Sequence, residues 1–381
     1  MKYPIKKWAE VLTIISGKNQ RAVECINGMY PIYGSGGIIG YANEYLCEAG
    51  TTVVGRKGTI NSPIYVAERF WNVDTAFGIA PGSELNPTFL YYFCKHFNFK
   101  ALDKSTTIPS LAKRDLLSIK MPVPSICEQE EIIARIEELF SQLDSAAATL
   151  NTIKQQLTVY RQAVLKNAFD IALKYCETLT PIDKLLATDR KGMSTGPFGT
   201  MLKKHEHKHA GVPVLGIENI GEGKFVDGNK IFVTVEKALE LKAFALKAGD
   251  IIISRSGTVG EICSVPERME GSLLSTNLMR VSLNLQKVLP DYFIYLFQSK
   301  GVVLDQVKEL CKGSTRIFLN QSILKQIRFP IPDTNQQKQI VAEIDSRLSV
   351  CDNIEQTIDA TLQQAEALRQ SILKKAFEGS L

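Results

Sequence analysis

The chain has 381 residues, with 45 lysines and arginines against 40 aspartates and glutamates and a net charge of +5. That length allows two or three domains, and so mild a basic excess does not by itself point to a polyanionic partner. There is no apolar run long enough to cross a membrane, no apolar signal region after Met1-Lys2-Tyr3-Pro4 and no C-x-x-C pair among eight cysteines, so we expect a cytoplasmic protein with reduced, mostly buried thiols rather than a membrane protein, a zinc ribbon or a disulfide scaffold.

Residues 1–121 read as a globular α+β unit. Short apolar runs between turn residues, such as Thr52 to Gly55 and Ile64 to Ala67, predict strands, and the proline-opened aromatic stretch Pro87 to Phe97 predicts a helix. Asn86-Pro87-Thr88-Phe89 superficially resembles the N-P-P-[FY] of amino-methyltransferases, but Thr88 replaces the second proline and we read it as a helix start. Gly34-Ser35-Gly36-Gly37 lacks the context of a dinucleotide fingerprint and reads as a tight turn, with a phosphate-approaching backbone loop as the alternative. Arg56-Lys57-Gly58-Thr59 sets an arginine beside a glycine at a strand end. Arginine can fork onto guanine or clamp a phosphate, and glycine permits close approach; the alternative is a solvated turn. Lys104-Ser105-Thr106-Thr107 offers cations and hydroxyls together, either for phosphate or as a helix cap toward Leu111.

Residues 122–170 form a long helix. Its apolar positions Ile132, Ile136, Leu139, Leu143, Ala146, Leu150, Ile153, Leu157, Tyr160 and Val164 alternate by four and three, the pattern of a coiled-coil seam. Ser125 is placed to cap it, and Glu128, Glu130 and Glu131 suit its positive end.

A second globular unit, 171–329, predicts strands at Ile251 to Ser254 and Leu278 to Ser282 and a helix at Pro290 to Phe297. Arg255-Ser256-Gly257-Thr258 and Lys312-Gly313-Ser314-Thr315-Arg316 repeat the loop chemistry of the first unit. His205, His207 and His209 alternate and would share a face on a strand, but no fourth metal ligand is apparent, which favours a polar or phosphate-touching loop. Residues 330–381 form a second long helix with a less regular seam, in which Arg347 and Thr361 stand where the first has Leu139 and Ile153.

These four segments are one design written twice. Pro122 to Phe169 returns as Pro330 to Phe377 at a constant offset of 208 residues, with 17 of 48 positions identical. Upstream, Pro31-Ile32-Tyr33-Gly34 answers Pro213-Val214-Leu215-Gly216, and Gly50 answers Gly249. Charge divides along the same lines. The globular units carry 14 basic against 9 acidic and 22 against 16, whereas the helices carry 4 against 7 and 5 against 8. Basic heads suit a polyanion and acidic helices suit something else. An exposed stripe about 60 Å long needs a partner, so we expect the two helices to pair antiparallel; the alternative packs each on its own globular unit. Motifs for a nucleophile elbow, H-E-x-x-H zinc site or Walker loop are missing.

Tyr30-Pro31-Ile32-Tyr33-Gly34-Ser35-Gly36-Gly37, Gly55-Arg56-Lys57-Gly58-Thr59-Ile60, Trp71-Asn72-Val73-Asp74-Thr75-Ala76-Phe77, Thr195-Gly196-Pro197-Phe198-Gly199 and Ala376-Phe377-Glu378-Gly379 carry a family resemblance. The chain resembles the DNA-specificity subunits of type I restriction-modification systems over essentially its whole length; Ser105, where the second copy has Gly313, is a departure. The resemblance implies two target-recognition domains, each reading a half-site of double-stranded DNA, and paired helices that set an unread spacer. It also implies docking of two methyltransferase subunits, which would carry S-adenosylmethionine, and of restriction and translocase subunits, with no cofactor, metal or catalytic residue in this chain. Candidate DNA contacts are Ser35, Gly36, Arg56, Lys57, Asn61, Lys104, Thr106 and Thr107 in the first unit. In the second they are Lys203, Lys204, Arg255, Ser256, Thr258, Asn277, Lys312, Ser314, Thr315 and Arg316. The competing readings are a self-contained DNA-modifying enzyme of a fused restriction system and a scaffold that binds only proteins.

Overall fold

A computed structural model describes residues 3–198, 200–256, 259–310 and 319–381. Two long helices, Ile126–Lys174 and Thr334–Glu378, run through an otherwise α+β chain. They begin where local chemistry dictates. The Ser125 hydroxyl accepts from the Glu128 N–H while the Glu128 carboxylate accepts from the Ser125 N–H at 2.9 Å, a reciprocal capping box. Asp333 and Gln336 repeat the device at the second helix. The helices have 49 and 45 residues, longer than the seam alone predicts.

Internal contacts divide the chain into two compact units, Met1–Thr152 with Ile358–Leu381, and Ile153–Thr357. Each unit therefore holds one globular part and a segment of both helices. In the first, Ile132, Ile133 and Ile136 from the start of the first helix share a core with Ile372, Leu373, Ala376 and Phe377 from the end of the second. In the second, Ile340 and Ile344 share a core with Val164, Leu165, Ala168 and Phe169. Both readings of the helices thus hold at once: they pair with each other and pack on the globular parts. The pairing is antiparallel, since Lys154 meets Glu355 while Arg161 meets Asp352 at 2.7 Å and Glu355 at 3.1 Å. In the first unit Arg369 pairs with Asp144 and lies over the Phe140 ring at 4.9 Å. Arg161 and Arg369 are repeat equivalents, as are Asp144 and Asp352, so each unit makes the same bridge with the roles of the helices exchanged. Hydrogen bonding to Arg161 holds the Asp352 carboxyl below the usual carboxylate range.

The seam is less uniform than its alternation suggests. Ile136, Leu157 and Val164 are buried, whereas Ala146, Ile153 and Tyr160 are exposed; Ile136 and Val164 share cores with the globular parts, and Leu157 lies among residues of the paired helix.

Sheet topology repeats too. In the first unit an antiparallel sheet runs Leu12–Ser16, Ala76–Pro81, Thr51–Gly55, Ile64–Val66. Its counterpart runs Met193–Thr195, Leu278–Val281, Ile251–Ser254, Ile262–Ser264. Beside each lies a three-stranded sheet whose central strand, Tyr30–Gly34 or Val212–Leu215, pairs in parallel with Trp71–Asn72 or Leu273–Leu274. Ile5–Lys7 with Lys120–Pro122, and Thr180–Pro181 with Arg328–Phe329, close each globular part. The aromatic helices appear at Pro87–His96, capped by the Asn86 side chain, and Pro290–Gln298; their apolar faces fill the two main cores. Among the described residues no helix is long and apolar enough to cross a membrane.

Candidate nucleic-acid interface

Three loops of the first globular part meet at one end of its sheets. The Ser35-Gly36 turn approaches the end of Thr51–Gly55 so closely that a Cβ on Gly55 would stand 3.1 Å from the Ser35 Cβ and 2.1 Å from the Thr59 carbonyl oxygen. Gly58, with φ +80, turns the next loop and donates its N–H to the Pro109 carbonyl at 2.9 Å. Leu111 N–H donates to the Arg56 carbonyl, also at 2.9 Å, and Lys57 bridges Ser110. Glycine is required at Gly55 because neighbouring backbone fills the space a side chain would take, and at Gly58 because the backbone is left-handed.

The candidates brought together do not all face outward. Gly36, Lys57, Lys104, Thr106 and Thr107 are exposed, and Ser35 is half-buried. Lys104 is tied to Asp115 at 3.0 Å. Arg56 is half-buried, its guanidinium 5.7 Å from the Phe77 ring centre and 3.4 Å from the Asp74 carbonyl oxygen. Asn61 is occupied otherwise: its Oδ1 accepts from Phe99 N–H at 2.7 Å, anchoring the turn Phe99–Leu102. One organiser escaped the sequence reading. Asp103 accepts from the Ser105 hydroxyl and from the N–H groups of Ser105 and Ser110, which shapes the 103–110 loop and holds its carboxyl below the ordinary range. An aspartate followed by serines two and seven residues on was the available signal.

In the second globular part Arg255 occupies the place of Arg56 but turns inward. It is 7% exposed, its Nε donates to the Leu319 carbonyl at 3.2 Å and its Nη1 to the Thr276 carbonyl at 3.3 Å. The backbone repeats the first copy, since Leu319 N–H donates to the Arg255 carbonyl at 3.0 Å. Ser256 donates its hydroxyl to the Asn277 Oδ1 at 3.3 Å, and Asn277 is exposed. Beneath this loop Thr276 donates its hydroxyl to the Pro197 carbonyl at 2.7 Å, which sets the exposed Phe198 beside it. Lys203 and Lys204 are exposed at the turn Lys204–Glu206. Thr258, Lys312, Ser314, Thr315 and Arg316 lie outside the described residues.

The histidines lie on a loop. Their segment enters a 3-10 turn at Lys204–Glu206 rather than a strand, so alternation does not line them up, and no metal-binding group of three occurs among the described residues. The seven described cysteines are free. Burial pushes the Cys47 and Cys263 thiols up to about 12, which makes them packing groups, not nucleophiles. What the loop ends offer is exposed ammonium, hydroxyl and amide groups on glycine-shaped backbone, the functional groups that contact phosphates and base edges.

A family model described as "Type I restriction modification DNA specificity domain" matches residues 2–157 and 198–364. The chain is similar to the EcoBI specificity subunit of Escherichia coli, 26% identical, covering 86% of this chain and 73% of that protein. It is similar to the StySPI specificity subunit of Salmonella potsdam, 22% identical, covering 80% and 67%. It also resembles the EcoKI specificity subunit of Escherichia coli K12, 26% identical, covering 77% and 65%. In fold it is similar to a chain from a solved structure concerned with complex assembly and conformational transition of the type I R-M system (TM-score 0.68, 15% identity, 100% of both chains). A further fold likeness is to the HsdS subunit from Thermoanaerobacter tengcongensis (TM-score 0.55, 14% identity, 100% of this chain and 97% of that one).

Proposed function

Because the chain belongs to the family of type I restriction-modification DNA specificity proteins, we propose that it is the non-catalytic subunit that reads a bipartite DNA target for such a complex. The observation that carries this is the doubled architecture: two sheets of the same order, each presenting a loop cluster where Thr51–Gly55 or Ile251–Ser254 ends. Residues 1–121 and 171–329 act as recognition domains, and 122–170 and 330–381 as the spacer. Gly36, Lys57, Lys104, Thr106, Thr107, Lys203, Lys204 and Asn277 are the contacts that exposure favours, with the half-buried Ser35 beside them; Arg56, Arg255, Ser256 and the exposed but hydrogen-bonded Asn61 hold loops in place. Thr258, Lys312, Ser314, Thr315 and Arg316 are assigned as contacts on residue type alone. Methyltransferase subunits bearing S-adenosylmethionine dock on the helices, and the apolar groove lined by Leu157, Tyr160, Val350, Cys351 and Ile354 supports this, because acidic helices with an open apolar seam suit protein rather than DNA.

Adding one heptad to both helices is expected to lengthen the spacer by about 10 Å, or about three base pairs, in the sequence that the assembled complex methylates. An unchanged spacer would refute the ruler. Lys57→Ala should lower the slope of log affinity against log salt by about 0.9, the loss of one phosphate contact. If binding isotherms across a salt series keep the wild-type slope, Lys57 is not at the interface.

A further inference from the structure

Gln129 and Gln337 are repeat equivalents, near the starts of the two long helices, and both are fully buried. Each carboxamide makes the same three hydrogen bonds. The Gln129 Oε1 accepts from Asn86 N–H at 2.8 Å, and its Nε2 donates to the carbonyls of Glu84 at 2.8 Å and Pro124 at 2.9 Å. The Gln337 Oε1 accepts from Leu289 N–H at 2.9 Å, and its Nε2 donates to the carbonyls of Lys287 and Pro332, both at 2.8 Å. Both amide hydrogens are used, and every partner is a backbone group. No other side chain of this length supplies two donors and an acceptor in that geometry.

The partners show what the bonds fasten. Asn86 and Leu289 are the residues that open the aromatic helices Pro87–His96 and Pro290–Gln298, which pack against the sheet carrying the loop cluster of their own unit. Pro124 and Pro332 lie where the chain leaves the globular part for the long helix. One side chain therefore rivets the globular part, the exit segment and the helix. A second point fixes the same joint in each copy, from aromatic helix to long helix: the Tyr92 ring meets the Phe140 ring edge-on at 5.9 Å between centres, and the Tyr295 hydroxyl donates to Asp345. Two fastenings on one joint define an angle, whereas one would allow a swivel.

We propose that Gln129 and Gln337 determine spacer specificity: each fixes the angle at which its recognition domain sits on its own helix segment, and together they set which half-site separation the subunit accepts. This rests on the bipartite reading above. The test uses the full chain and duplexes carrying the two half-sites found methylated in host DNA, with the natural spacer or one base pair more or fewer. Competition binding gives the spacer preference, and scrambling one half-site at a time gives base preference. Wild-type protein that binds all spacers equally would defeat the bipartite reading itself. Given a wild-type preference, Gln129→Met and Gln337→Met should each reduce it by about tenfold while half-site base preference stays intact. Should a methionine variant fail to fold, Gln129→Glu and Gln337→Glu keep the acceptor for the helix-opening N–H and lose both donors, and the same reduction is expected. Folded variants whose spacer preference matches wild type, or whose affinity falls equally for every spacer, would overturn the proposal and leave these residues a purely structural role.

Discussion

Phe377→Ala is expected to destabilise the first unit by about 3 to 5 kcal/mol, the usual cost of emptying a buried aromatic site. The ring lies near the end of the sequence, yet it packs at 5.2 Å from Phe89, 5.3 Å from Phe93 and 5.5 Å from His96, ring centre to ring centre. Its repeat equivalent Phe169 is fully buried against Tyr292 in the second unit. Hydrogen exchange should therefore show a crossed pattern. Phe377→Ala should expose the amides of Leu12–Ser16, Thr51–Gly55 and Ala76–Pro81, and Phe169→Ala those of Ile251–Ser254 and Leu278–Val281. Loss of protection at Ile251–Ser254 in the Phe377 variant would contradict the packing. The same contact responds to acid. Burial holds the His96 imidazole below its ordinary value of 6.5, with Glu378 and Lys374 as opposing lesser influences. A base with a lowered folded pKa stabilises the fold fully above 6.5, and that contribution is lost as the pH falls from there through the folded value. The melting temperature of the first unit should fall as the pH drops through that window, and His96→Phe should remove the dependence.

Arg255→Met is expected to weaken binding to the second half-site by about a hundredfold, evenly across base substitutions. The guanidinium joins the carbonyls of Leu319 and Thr276, and the Arg255 backbone accepts from Leu319 and donates to Asn277. Three segments of the loop cluster thus depend on one buried cation, and charged hydrogen bonds of this kind are worth about 1.5 to 3 kcal/mol each. Measured affinities for a panel of duplexes with every single-base change in that half-site would decide. A relaxed preference at one position alone would make Arg255 a base reader instead.

Much of this architecture was legible in the sequence for a physical reason. Helix periodicity, capping serine and turn glycines are local signals, so the long helices, the strands around Thr52 and Ile251 and the proline-opened helices appear close to where they were expected. Which of the candidate side chains are taken up by the chain's own backbone was not legible. An arginine before a glycine turn looks the same whether it meets solvent, as Arg56 partly does, or Leu319 64 residues away, as Arg255 does. Asn61 was named a contact from the family resemblance, and its bond to Phe99, 38 residues away, leaves no local signal. Gln129 was one identical position among many, and only the backbone groups folded around it give that identity a cause.

The two units also differ in how their segments are strung along the chain. Ile153–Thr357 is continuous, whereas the other unit needs both Met1–Thr152 and Ile358–Leu381. During synthesis on the ribosome, the later-emerging unit can therefore complete its core while the earlier one still waits for Phe377 and its neighbours. The nascent chain must keep an unfinished apolar surface at Phe89 and Phe93 until Phe377 has emerged, so birth order and maturation order are reversed.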